Sequence, residues 1–248
     1  MMKNYRQTDK TLLSKTLGAL LLLSLYCTPV HAQNEGRWYE VEVLIFKRQG
    51  TAALTSENWR NNIELTYPNR YRYLKSGGTG SFSLRPQNSH KLGGYNYTLR
   101  KKENYKVLYH KAWTQQMQNA ANSPAIIING GNLSGDHKEL EGYIKIHIAR
   151  YLHLTTDLWL TTNNTQTGEA TGSAGAQWPK VPSRPGTTTP ASVKPIDAQG
   201  LSTLTYDSIV GTKPIATLQE RRRMRSKELH YIDHPLMGLL ILITPIDK

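Results

Sequence analysis

The sequence predicts an α+β protein dominated by a mostly antiparallel sheet of about six strands, with one or two helices and a C-terminal β-hairpin. Three observations support this class. Apolar and polar residues alternate with a period of two in several separate stretches, the chain ends on the apolar run "LLILITP", and glycine and proline punctuate the segments between. Alternation of this kind is what a strand needs to bury one face and wet the other.

The first 32 residues are set apart. Lys3, Arg6, Lys10 and Lys15 precede the ten-residue run "LGALLLLSLY", and Val30-His31-Ala32 places small residues where a signal peptidase reads them. Residues 1–32 are therefore expected to be a signal peptide, leaving 33–248 as a single β-rich domain with no transmembrane segment, since spanning a bilayer takes about 20 apolar residues. Cys27 is the only cysteine, so cleavage would leave no thiol and no possibility of a disulfide. The expected location is the periplasm. Of 31 basic and 18 acidic residues, four and one lie before the cut, so the mature chain carries about +10 and seeks an anionic partner. Outside an inner membrane the abundant anions are lipid headgroups, lipopolysaccharide and wall-peptide carboxylates. Nucleic acid is not a physiological partner there.

In chain order, "RWYEVEVLIF" from Arg37 reads as a strand with Tyr39, Val41, Val43 and Ile45 on one face. "TSENW" offers a helix start, with a short helix over Glu57 to Ile63. From Tyr67 to Lys102 the paired glycines interrupt every period. "YKVLYHKAW" is a second strand, with Tyr105, Val107, Tyr109 and Trp113 expected on one side. "AIIING" is a brief strand ended by Gly130-Gly131. The alternation from Ile144 to Leu160 would measure about 55 Å as one strand, so a bend or hairpin is expected near Thr155 to Asp157. Residues 161–200, rich in Thr, Gly, Pro and Ala, read as a low-complexity mobile insertion in which Trp178 is isolated.

The stretch "ERRRMRSKELHYIDHP" carries the candidate site. As a strand it places Arg221, Arg223, Arg225 and Lys227 on one face, with same-face neighbours about 6.6 Å apart, and Arg222 on the other. It is expected to pair as a hairpin with the run from Leu239, across a turn structured by Asp233, His234 and Pro235. Guanidinium groups hold carboxylates by two parallel hydrogen bonds, and Tyr231 supplies a ring for apolar contact. The competing reading is an edge strand kept soluble by its charges. His230, Asp233 and His234 lack a third ligand motif and a helical spacing, so no metal and no cofactor is expected. His110, His147 and His153 read as core-edge histidines.

The combination of "WYEVEVLIFKR", "VLYHKAW", "ARYLHLTTDLWL" and "RRRMRSKELHYIDHPLMGLLILITP" resembles the CsiV family of periplasmic peptidoglycan-binding proteins, which are associated with cell-shape integrity in gammaproteobacteria. The resemblance implies a cell-wall biogenesis role: binding peptidoglycan and supporting a penicillin-binding synthase through its outer-membrane lipoprotein activator. It implies no catalytic residue. The residues agree, for no Gly-x-Ser-x-Gly elbow, His-Glu-x-x-His helix or P-loop occurs, and Glu139 and Glu141 beside Asp136 and His137 read as solvated loop charges rather than a glycosidase pair. The alternatives are a scaffold or membrane-surface protein without wall contact and, more remotely, a wall hydrolase.

Overall fold

The computed structural model describes residues 35–49, 65–134, 137–162, 182 and 213–247. The expected signal peptide, the helix over Glu57 to Ile63 and nearly all of the 161–200 insertion lie outside the described residues.

Among the described residues the chain forms ten strands and one α-helix. The strands are β1 (Trp38–Arg48), β2 (Tyr71–Arg72), β3 (Ser83–Leu84), β4 (Tyr105–Gln116), β5 (Ala125–Ser134), β6 (His137–Ile148), β7 (Leu152–Thr162), β8 (Lys213–Met224), β9 (Leu229–His234) and β10 (Met237–Pro245); α1 is Gly93–Lys101. They form two five-stranded sheets, ordered β3-β4-β1-β10-β9 and β2-β5-β6-β7-β8, in which every pairing is antiparallel except β2 with β5. The mostly antiparallel class is the expected one. The strands divide between two sheets rather than one because their apolar faces need each other: Val41, Val43, Ile45, Trp113 and Ile241 from the first sheet share one buried cluster with Ile126, Ile144, Leu154 and Leu158 from the second.

Local corrections follow from backbone detail that a period cannot convey. β4 does not keep Tyr105, Val107, Tyr109 and Trp113 on one side. A bulge at Ile45/Phe46 shifts the β1–β4 register, so Val107 pairs with Phe46 and packs under α1 while Tyr109 and Trp113 enter the inter-sheet core. Gly130 and Gly131 do not end β5. The strand runs on to Ser134, and a Cβ at Gly130 would lie 2.1 Å from the Leu108 carbonyl oxygen, so glycine is what lets β5 approach β4. The long alternation is broken at residues 149–151, where Ile148 pairs with Leu152 across a tight turn, and not at Thr155 to Asp157.

α1 begins at the Gly93-Gly94 pair that the sequence suggested would forbid regular structure. Glycine costs least at a helix end, and tertiary packing holds the rest: Leu92 and Leu99 cover Leu44, Phe46, Leu240 and Leu242 on the outer face of the first sheet.

A basic patch as candidate functional site

The C-terminal hairpin exists, but the arginine strand is not part of it. β9 pairs with β10 across Pro235 and Leu236, whereas β8 pairs with β7 and forms the edge of the other sheet. The extended conformation stops at Met224. Residues 225–228 turn the chain from one sheet to the other, with Lys227 in the left-handed region at φ 66° and its amide donating to the Ile243 carbonyl at 2.8 Å. The single line of four cations is therefore interrupted. Arg221 and Arg223 share one strand face, and Arg225 and Lys227 follow in the connection.

All five cations are exposed. Among the described residues the carboxylate that pairs with them is Glu228, 3.6 Å from Arg225. Leu218 and Met224 are buried in the inter-sheet core, so alternation turns Arg221 and Arg223 to the outer face of the second sheet. Arg222 faces the other way and donates from Nη1 to the Tyr231 carbonyl at 2.8 Å.

Strand pairing then assembles a patch that no linear reading contains. Arg221 lies opposite Thr155, which lies opposite Lys145; Arg223 lies opposite His153, which lies opposite His147. These two rungs set five basic side chains on one surface, with cross-strand Cβ spacings of about 5 Å. The His147 and His153 rings stack at 5.0 Å with 9° between planes. Burial, and then the neighbouring His153, lowers the His147 pKa, so it is neutral at neutral pH. At the end of the rungs, in the β6–β7 turn, the half-exposed ring of Tyr151 lies 4.6 Å from the Arg223 guanidinium carbon and 5.5 Å from that of Arg150. Tyr151 and Arg150 were missed in the sequence. Their signal was the dipeptide at a hairpin turn, which has meaning only once the turn is placed at 149–151.

The remaining predicted residues serve other ends. Tyr231 is on β9, in the other sheet, away from Arg221 and Arg223. Its hydroxyl donates to Asp233 Oδ1 at 2.5 Å and accepts from Arg48 at 2.8 Å, and burial together with the Asp233 bond pushes its pKa up to about 12. Asp233 also takes Arg48 at 2.6 Å, and the Tyr231 hydroxyl is the main cause of its lowered pKa. His234 Nδ1 accepts from the Leu236 amide at 3.1 Å, bracing the turn at Pro235. Nε2 of His230 is 3.1 Å from the Arg225 carbonyl oxygen.

Glu139 and Glu141 are not solvated loop charges. Both are buried in β6: Glu141 accepts from the Lys138 amide and contacts His137, and Glu139 takes Lys47, Lys106 and the Asn132 amide. His110 is likewise more than a core-edge residue, with Nε2 placed 2.8 Å from Glu42 Oε1.

A family model described as "Peptidoglycan-binding protein, CsiV" matches residues 16–246, nearly the whole chain. The chain belongs to the CsiV family. No curated protein and no solved structure matches it. Family membership places the protein in the cell envelope, and among the described residues no helix is long and apolar enough to cross a membrane.

Proposed function

We propose that this protein is a periplasmic accessory protein that grips peptidoglycan through the two-rung basic patch of the second sheet. Arg221 and Arg223 would clamp stem-peptide carboxylates, Arg225 and Lys227 would extend the track, and Tyr151 would pack against sugar or peptide carbons. The carrying observation is the juxtaposition of the exposed Arg150, Arg221 and Arg223 with the half-buried Lys145, whose ammonium donates to the Ala120 carbonyl at 2.7 Å, on one face of the sheet. Like charges at such spacing repel unless an anion sits among them. The patch is therefore better accounted for by a polyanionic ligand than by solubility alone. An isolated edge strand needs only one or two lysines to discourage pairing.

Family membership further supports a wall-synthesis role beside a penicillin-binding synthase and its outer-membrane lipoprotein activator. The chain would act there as an adaptor and not as an enzyme. The patch offers guanidinium, ammonium and neutral imidazole but no unpaired acid to serve as a general base: Asp157, on the next rung, is bonded to Gln219 and Tyr143 and has its pKa raised by burial.

The test is co-sedimentation with purified sacculi. Binding should weaken with salt, and the combined change Arg221→Ala, Arg223→Ala and Arg225→Ala should lower affinity at least about tenfold, since each charge-assisted bond contributes roughly 1.5–3 kcal/mol. Arg222→Ala, which alters the inward side of the same strand, should retain binding. Full retention by the triple variant overturns the site. Liposome binding without any affinity for sacculi overturns the reading in favour of a membrane-surface protein.

A further inference from the structure

We propose a zinc-class metal site formed by Glu42, His90 and His110, on the outer face of the first sheet and far in character from the basic patch. Glu42 (β1) and His110 (β4) lie on adjacent strands, with His110 paired to Leu44, two residues from Glu42 on the same face. His90 is delivered by a one-turn 3-10 helix, Gln87–Ser89, that immediately precedes it. One ligand atom from each of the three residues lies within 4.8 Å of the others. Nε2 of His110 is 2.8 Å from Glu42 Oε1, and Nδ1 of His90 is 4.0 Å from the same oxygen.

The histidine at position 90 points to a ligand. Its side chain is only 7% exposed, yet neither ring nitrogen has a hydrogen-bond partner. A buried imidazole left without partners is costly, and such a group needs an explanation in water, an ion or a strained function. Its ring meets that of His110 edge-on, with centroids 4.7 Å apart, so the two imidazoles converge on one volume next to a carboxylate. Two imidazoles and one glutamate are a donor set suited to Zn²⁺, and four-coordinate zinc needs donors roughly 3.3 Å apart, reachable from this arrangement by small ring rotations.

The surroundings also fit. The Glu42 carboxylate is fixed in place: the Lys91 and Leu92 amides donate to it at 2.7 and 2.9 Å. Those amide bonds orient the ligand from a second layer, as metal-binding carboxylates require. Glu40, the next acid along the face, is neutralised by Arg85 and Lys91 and does not compete for the ion. With Glu42 only 2% exposed and Leu92 closing one side, no polymer reaches the three residues. The metal would be structural, pinning residues 90–92 and the start of α1 to the sheet.

The experiment loads the metal-free protein with Zn²⁺ and measures bound metal after dialysis, alongside thermal melting. The expected result is one equivalent per chain and a Tm several degrees higher. His90→Ala should lose that equivalent and any rise of Tm with zinc, its metal-free Tm falling only by the lost packing of a ring that makes no hydrogen bond; His153→Ala should retain it. Loading with Co²⁺ gives a reading that needs no variant, since two imidazole nitrogens and a carboxylate produce visible ligand-field bands. Retention of zinc by His90→Ala, or no retained zinc and no Co²⁺ bands in the parent protein, overturns the proposal. Neither outcome bears on sacculus binding, which stands or falls separately.

Discussion

Arg222 donates to the main-chain carbonyl of Tyr231 at 2.8 Å and so ties the edge strand of one sheet to the edge strand of the other. The side chain comes from β8 and the acceptor from β9, two strands joined in sequence by the connection of Arg225 to Glu228 but assigned to different sheets. Arg222→Ala should leave the carbonyl to water and cost about 1 kcal/mol, below the roughly 1.5–3 kcal/mol of bonds to charged groups because this one is exposed to solvent. Urea unfolding checks this, with the slope unchanged and only the midpoint lowered.

Glu139 makes acid stability specific. Burial alone would raise its pKa, but the Asn132 amide with Lys106 and Lys47 holds it down to about 2, at distances of 2.7, 2.6 and 2.5 Å. Because the folded value lies below the unfolded one, the unfolded chain takes up the proton first. The contribution is complete above about pH 4.5 and is lost as pH falls toward 2. Glu139→Gln should remove most of that acid limb and cost about 2–3 kcal/mol at neutral pH, leaving Lys47 and Lys106 facing one another. Melting temperature measured from pH 7 to pH 2.5 for both proteins is the check.

Elements whose evidence is local were legible in the sequence, and those whose evidence is a pairing were not. β1 and β4 follow from the alternation about Val41, Val43, Tyr109 and Trp113, and β10 from the continuous apolar run about Ile241, because a strand writes its burial into its own residues. The partner of the arginine strand does not, since Leu218 and Met224 fit the face of either sheet equally well. Lys227 hid the break: a lysine with φ 66° carries no glycine to announce it. For the site, Arg221 and Arg223 could be named at once, whereas Lys145 and Tyr151 joined them only through the registers of β6, β7 and β8.

Gly238 is required by an aromatic ring. It lies opposite Phe46 in the β1–β10 pairing, and an added Cβ would sit 2.4 Å from Phe46 Cζ. Phe46 is itself held edge-on against Tyr105 at 5.3 Å, so it has little room to yield. Gly238→Ala should cost about 2 kcal/mol or more, in the range of overpacked cores. Combining it with Phe46→Leu should cost less than the two single changes together, and a double-mutant cycle that comes out additive would contradict the packing described.

The last strand is a requirement for folding, not an ornament on a finished domain. β10 lies between β1 and β9, and Leu239, Ile241 and Ile243 are wholly buried in the inter-sheet core. Each such side chain stabilises the fold by about 1.5–3 kcal/mol, which together matches much of the net stability of an ordinary domain. A fragment ending at Asn163 loses β8, β9 and β10, turning central β1 into an apolar edge with unpaired backbone groups along the side that β10 covered. It should be recovered only as aggregate. A soluble fragment with a cooperative melt would show that β1 and β4 can close the first sheet without the chain's C-terminus. Truncation after Pro245 removes only residues beyond β10 and should leave the Tm within a few degrees of the parent, since Ile246 contributes one main-chain bond to Trp38.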